Sequence, residues 1–351
     1  MEEQIRNILS GVIHPETQEN IIAAGIVESI AVDGGKAVVM LCFPKPRDPF
    51  AARIRTQAQQ MIERAIPEMK GNVTVVVKEA APKPQQPQRE STTTSVRHII
   101  AVASGKGGVG KSTVTANLAI ALRNMGYATG ILDADIYGPS QPKMFGIEGY
   151  VPDAVQQDGN DYIVPAQSLG IELMSIGFFI RPEDALMWRG AMATNALKQL
   201  LHQTLWGPLD FLLIDMPPGT GDIHLTIISE LKLDGAVIVS TPQQVAVADV
   251  VRGVQMFRHP QVGVPVLGII ENMSWFTPKE LPDNRYYIFG RGGAKRYAEE
   301  CAAPFLGEIP IIQSIMEGSD EGRPSALYDP QVEECYRKVA ARIVEKSDGK
   351  C

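Results

Sequence analysis

Gly105-Lys106-Gly107-Gly108-Val109-Gly110-Lys111-Ser112-Thr113 decides how this chain is read. An apolar run, His98–Ala103, precedes it and has the look of a buried strand. Behind it, Val114, Leu118, Ala121 and Leu122 recur at helical spacing through Val114–Asn124. Strand, glycine-rich loop and helix together turn the GxxxxGK[ST] pattern into a phosphate site. Glycines let successive backbone N–H groups turn inward around phosphate oxygens, and the helix N-terminus adds its partial positive charge. All nine residues Gly105–Thr113 are therefore expected to line a nucleotide, with Lys111 reaching the β- and γ-phosphates and the Ser112 hydroxyl ligating Mg²⁺. The competing reading is a glycine-rich turn that only joins strand to helix.

Outward from this loop the pattern alternates between strand and helix from Arg97 onward, which predicts an α/β fold with a mostly parallel sheet covered on both faces. The expected strands are His98–Ala103, Ala128–Leu132, Phe211–Ile214, Ala236–Ser240 and Val266–Ile270, each a short and nearly continuous apolar run. Gly105, Asp133, Asp135, Asp215, Thr241 and Asn272 fall at their C-terminal ends, where such sheets bind ligands. Asp133 and Asp135 are spaced so that both can face one crevice. Asp215 closes another strand and leads into Met216-Pro217-Pro218-Gly219-Thr220-Gly221-Asp222, a loop able to rearrange around a γ-phosphate. With Ser112, Asp133 and Asp215 are the expected magnesium residues, directly or through water. Each aspartate, taken alone, also fits a helix N-cap.

Residues 1–79 read as a separate small α+β domain. Ile5, Leu9 and Val12 space a first helix, and Gly25–Val32 and Lys36–Phe43 are strands joined at Asp33-Gly34-Gly35. Pro49–Ile66 is an amphipathic helix and Asn72–Val77 a last strand. Cys42 is expected as a buried structural thiol. Residues 80–96 shift to proline, glutamine, serine and threonine, a semi-extended linker. Residues 97–351 then form the nucleotide-binding domain.

The bulk numbers exclude several classes. The 351 residues carry a net charge of −7, which argues against a broad nucleic-acid surface. No apolar run approaches the ~18 residues of a membrane span, and the acidic Met1–Ile5 is no signal peptide, so a cytoplasmic location is expected. Cys42, Cys301, Cys335 and Cys351 lie far apart, as reduced thiols do. None of the five histidines shows metal-ligand spacing; His224 is expected on a helix surface.

Lys106 makes the loop resemble the deviant Walker A motif of the MinD/ParA-type ATPases. Asp133-Ala134-Asp135-Ile136-Tyr137-Gly138-Pro139-Ser140, Trp188-Arg189-Gly190, Asp215 to Asp222, Glu271-Asn272-Met273-Ser274 and Phe289-Gly290-Arg291-Gly292-Gly293 narrow it. Together they resemble the Mrp/NBP35 (ApbC) family of iron–sulfur cluster carrier ATPases. The first domain is similar to the MIP18-type (DUF59) module, through Ile13-His14-Pro15-Glu16 and Gly25-Ile26-Val27, with His14 where that family usually has Asp.

This resemblance implies an ATP-bound homodimer that serves apo iron–sulfur client proteins or an assembly scaffold. Lys106 would cross to the partner's phosphates, Asp135 would orient the attacking water and Asn272 would hydrogen-bond adenine. Lys106, Lys111 and Asp135 are thus the expected catalytic residues. Read without the resemblance, Lys106 is a solvated loop cation. A bridging [4Fe–4S] cluster is also implied, yet its usual CxxC is missing: residues 277–284 read Thr-Pro-Lys-Glu-Leu-Pro-Asp-Asn. Thiolates are what hold such clusters. A nucleotide-dependent interaction switch without a cluster is therefore the alternative. A membrane- or DNA-positioning ATPase is disfavoured, because Pro330–Cys351 mixes acids among its bases and lacks aromatic anchors beyond Tyr336.

Overall fold

The computed structural model describes residues 1–15, 19–33, 35–43, 48, 50–78, 92–157, 159–179 and 191–349. The chain divides into two compact units, Met1–Arg89 and Glu90–Cys351. Most of the expected linker, and Trp188-Arg189-Gly190, lie outside the described residues.

The first unit runs α1 (Glu2–Leu9), β1 (Val27–Asp33), β2 (Lys36–Cys42), α2 (Ala51–Ala65) and β3 (Val73–Lys78). β2 is central, antiparallel to β1 and parallel to β3, so α2 is the crossover that a parallel pair requires. Ala37, Val39 and Leu41 alternate inward from β2, while Ile54, Ala58 and Ile62 repeat every fourth residue along α2. These two periods bring them into one core with Ile5 and Leu9. Cys42 is half-buried at the end of β2.

The second unit begins with β4 (Val96–Ser104), α3 (Lys111–Asn124), β5 (Thr129–Asp133) and α4 (Gln141–Met144). A small hairpin, β6 (Ala154–Gln157) and β7 (Asn160–Ile163), leads to β8 (Ala166–Ser168), β9 (Ile171–Ser175) and α5 (Ala191–Gln203). Then follow β10 (Leu209–Asp215), α6 (Asp222–Glu230), β11 (Gly235–Ser240), α7 (Gln244–Arg258), β12 (Val266–Phe276) and α8 (Gly293–Glu300). β13 (Phe305–Ile311), α9 (Gln313–Asp320) and α10 (Pro330–Ser347) close the chain. The sheet order is β13-β12-β11-β4-β10-β5-β9-β8, parallel throughout except for the β8–β9 pair at one edge.

Alternation along the strands explains their unbroken apolar runs. Ile99, Ala101, Leu212, Ile214 and Ile238 face one layer with Leu197 of α5, Ile227 of α6 and Phe257 of α7. Their neighbours Ile100, Val102, Leu213 and Val239 face the other, with Leu118 of α3 and Tyr336 and Ile343 of α10. Burying each large side chain contributes roughly 1.5–3 kcal/mol. The start of α10 is fixed by Asp329, whose carboxylate accepts from the N–H groups of Gln331 and Val332, with Pro330 in the first turn.

β4 lies between β10 and β11, so the chain leaves it on one side for β5 and later crosses to the other for β11. That reversal opens a crevice at the C-terminal end of β4, where such sheets bind ligands. The five expected strands all form. β8, β9 and β13 extend the sheet beyond them.

Candidate functional site

Two features shape the loop between β4 and α3. Gly108 and Gly110 have φ of 81° and 80°, a conformation that favours glycine. Gly110 also has no room for a side chain, because a Cβ there would lie 2.4 Å from Asn272 Nδ2. Gly110 serves as N-cap of α3 with no side-chain cap, so the first N–H groups of the helix are left for a ligand. Ser104, residues 106–113, Asp135, Ser140, Met144 and Pro218 enclose a cavity of about 250 Å³. Such a row of N–H groups over a helix N-terminus is suited to phosphate.

Lys111 is buried at the base of this cavity. Its Nζ ion-pairs with Asp215 Oδ1, donates to Ser112 Oγ at 3.1 Å and lies 4.0 Å from Asp135 Oδ2. Asp215 is fully buried and also accepts from Thr115 Oγ1 at 3.3 Å and, on Oδ2, from Gln141 Nε2 at 2.8 Å. The strand register sets Asp215 level with Asp133 of β5, so the two carboxylates are neighbours on one face. Both Asp133 oxygens are engaged, Oδ1 by the N–H of Asp135 and Oδ2 by the N–H of Gln141 and Ser175 Oγ.

Three carboxylates thus share one ammonium. Burial first, and then repulsion from Asp215, push Asp133 up to about 7, with Lys111 opposing. Burial also raises Asp135, again against Lys111. Asp135 Oδ1 is buried without a hydrogen-bond partner among the described residues. An excess of buried carboxylate, an orphaned acceptor and the Ser112 hydroxyl fit a hard divalent cation. Among the described residues, no three His, Cys, Asp or Glu side chains converge on one ion, so a cation here needs ligands from Ser112, phosphate and water.

Lys106 is half-exposed, and its Nζ forms no hydrogen bond or ion pair with a described residue. Its carbonyl accepts from Ser104 Oγ at 3.0 Å, which holds the loop while leaving the ammonium free. Thr113 offers its carbonyl to Asn117 Nδ2 at 2.9 Å. Asn272 is buried beside the loop and donates from Nδ2 to the Val109 carbonyl at 2.9 Å. The following residue, Met273, has φ of 56°, a strained conformation for a non-glycine at the point where β12 loses regular pairing.

Sequence reasoning missed several supports of this site. The side chains of Gln141, Thr115 and Ser175 bond to its acids across 42 to 100 residues, and no local pattern announces them. Glu271 is buried, and its carboxylate accepts from the N–H groups of Gly292 at 3.2 Å and Ala294 at 2.8 Å, capping α8. Gly293 is obligatory there, since a Cβ would sit 2.1 Å from the Pro242 carbonyl.

His224 corrects an expectation. Instead of lying on a helix surface it is buried, folded back so that Nδ1 accepts from the Gly221 N–H at 3.2 Å. Burial lowers its pKa to about 4, so the ring is neutral at pH 7. It lines a second cavity of about 520 Å³ with Tyr137, Pro217 and Pro218.

Cys42, Cys301 and Cys335 are half-buried free thiols, and Cys351 lies outside the described residues. The cysteine-free stretch after β12 is a closed loop. Phe276 and Tyr286 exchange backbone hydrogen bonds of 2.9 and 2.8 Å across it, and Arg285 stacks on Trp275 at 4.4 Å. No described helix is long and apolar enough to cross a membrane.

Comparison with known proteins gives the family and the fold. Residues 95–346 match the family of the NUBPL iron-transfer P-loop NTPase, and residues 2–75 match an iron–sulfur cluster assembly protein family. The iron–sulfur cluster carrier protein of Synechocystis is 40% identical over 351 residues, covering 99% of this chain and 97% of that one. The carrier of Aquifex aeolicus is 40% identical, covering 98% and 90%. Among solved structures, an Archaeoglobus fulgidus nucleotide-binding protein in complex with ADP is 40% identical, with a TM-score of 0.59 over 70% of this chain and 94% of that one. The cell division ATPase MinD of Pyrococcus furiosus shares the fold at 23% identity, with a TM-score of 0.52 over 71% of this chain and 99% of that one.

Proposed function

The chain belongs to the iron–sulfur cluster carrier family of P-loop NTPases, and from that premise we propose that it is a magnesium-dependent ATPase acting as a nucleotide-switched homodimer. The observation that carries this reading is the convergence of Lys111, Ser112 and Asp135 on one cavity above the N-terminus of α3, with Asp215 paired to Lys111 behind it. In the proposed cycle, the N–H groups of residues 107–112 take the phosphates, and Lys111 turns from Asp215 toward them. Magnesium, held by Ser112 and through water by Asp215, would neutralise charge on the phosphate oxygens. Asp133, its oxygens already bonded to Asp135, Gln141 and Ser175, is given no direct part in holding the ion.

Asp135 is assigned to orient a water; its buried Oδ1, without a partner among the described residues, and its raised pKa support that role. Lys106, whose ammonium is free, is assigned to the phosphates of the partner copy. Asn272 is assigned to adenine through Oδ1, with Nδ2 kept by Val109. ATP turnover tests the assignment: wild type turns over with magnesium, and Lys111→Ala and Asp135→Ala do not. Unchanged turnover in both variants removes it.

The proposed cargo is an iron–sulfur cluster passed to apo client proteins or taken from an assembly scaffold, in keeping with the names of the relatives. A second reading, a nucleotide-dependent interaction switch that carries no cluster, is favoured by the closed, cysteine-free loop at residues 277–284. Anaerobic reconstitution with iron and sulfide separates the two. Bound iron with visible absorbance supports the carrier; no bound iron per dimer supports the switch.

A further inference from the structure

Gln141, at the start of α4, is fully buried and touches every part of the magnesium-binding region at once. Its Nε2 donates to the Ser112 carbonyl at 3.0 Å and to Asp215 Oδ2 at 2.8 Å, while its own N–H donates to Asp133 Oδ2 at 3.2 Å. The orientation of the amide is fixed by its partners. Both are pure acceptors, so exchanging Oε1 and Nε2 would set oxygen against oxygen twice.

The arrangement is costly as packing alone. Oε1 is buried with no hydrogen-bond partner among the described residues, and a buried acceptor left unsatisfied costs stability. An apolar side chain of the same length would avoid that penalty.

The Asp215 carboxylate is held from two sides, Lys111 on Oδ1 and Gln141 on Oδ2. Only one of these holds is free to persist. Lys111 has to leave Asp215 to reach a phosphate, whereas Gln141 has no such second partner and is anchored at its backbone to Asp133. Through Ser112, Gln141 also fixes Asp215 relative to the first turn of α3.

We propose that Gln141 is a positioning residue that keeps the Asp215 carboxylate aligned with Ser112 once Lys111 has moved, and so sets the magnesium dependence of nucleotide binding. The proposal rests on the nucleotide reading of the site. It predicts an effect on the ion that is separable from an effect on the nucleotide, because Gln141 touches no residue expected to grip phosphate by its side chain.

The test is the affinity of the full-length protein for a fluorescent ADP analogue, measured by anisotropy in excess magnesium and again in EDTA. Wild type binds more tightly with magnesium; if it shows no magnesium effect, the nucleotide-and-magnesium reading fails and the proposal falls with it, whereas a magnesium effect that both variants keep overturns the role of Gln141 alone. In Gln141→Met, whose fold is checked by its melting transition without nucleotide, affinity in EDTA stays within about twofold of wild type. Its affinity in magnesium falls about 10- to 100-fold, the range for residues that orient metal ligands. Gln141→Asn, polar but too short to span both acceptors, gives a smaller loss of the same kind. Equal losses with and without magnesium, or no loss, overturn the proposal, as does failure of both variants to fold.

Discussion

The Lys111 ammonium is ion-paired with the Asp215 carboxylate at the floor of the phosphate cavity, and that contact must break before Lys111 can reach a ligand. Both partners are buried, so removing one strands the charge of the other. Lys111→Met is expected to cost about 3 kcal/mol or more of folding stability. Adding Asp215→Leu recovers most of it without restoring nucleotide binding. Urea unfolding of the single and double variants measures this, and additive losses would contradict the pairing.

Gly108 and Gly110 share a left-handed backbone but differ in surroundings. A Cβ at Gly108 meets nothing within 4 Å, whereas one at Gly110 meets Asn272 Nδ2 at 2.4 Å. Gly108→Ala should cost only the conformational penalty, about 1 kcal/mol. Gly110→Ala should cost more and displace Asn272 from Val109. Thermal melts of the two nucleotide-free variants compare them; equal losses would refute the close contact.

His224 and Asp133 make opposite predictions with pH. The folded pKa of His224 is lowered to about 4 from 6.5, so between those values the unfolded chain binds a proton that the folded chain does not. Its contribution is complete above about pH 6.5 and is lost as pH falls toward 4, by roughly 2–3 kcal/mol. Asp133 is raised from 3.8 to about 7, so here the folded chain keeps a proton the unfolded one has released. Its contribution is present at low pH and lost as pH rises from about 4 to 7. Urea unfolding across pH 4–8 should show His224→Gln flattening the acid limb and Asp133→Asn the neutral one. A variant whose profile parallels wild type would disprove its assignment.

Glu271 accepts from two N–H groups at the start of α8, one through each oxygen. Glu271→Ala removes a buried cap and is expected to destabilise by about 2 kcal/mol. Hydrogen exchange should quicken in residues 293–300 before it does in β4 or β10. Uniform quickening would mean that the cap does not act locally.

What the sequence made legible follows from how far each signal reaches. The strands of the central sheet are apolar on two faces and stand out as continuous runs, as in Phe211–Ile214 and Ala236–Ser240. β13 was hidden by Gly307 and Pro310, residues that weaken a strand pattern, and β8 by its three-residue length. The phosphate loop was legible because its chemistry is contiguous. The support of Asp215 by Gln141, and of Asp133 by Ser175, was not, because each pairs residues 74 and 42 positions apart through side chains common in any turn. His224 was misjudged for a related reason: its ring satisfies a helix-start N–H that only the fold reveals.

Calorimetric titration of ATP with magnesium into the full-length protein tests the central claim most directly. The account predicts saturable binding of one nucleotide per protomer, lost in Gly110→Ala. No binding by wild type, or undiminished binding in that variant, would contradict it.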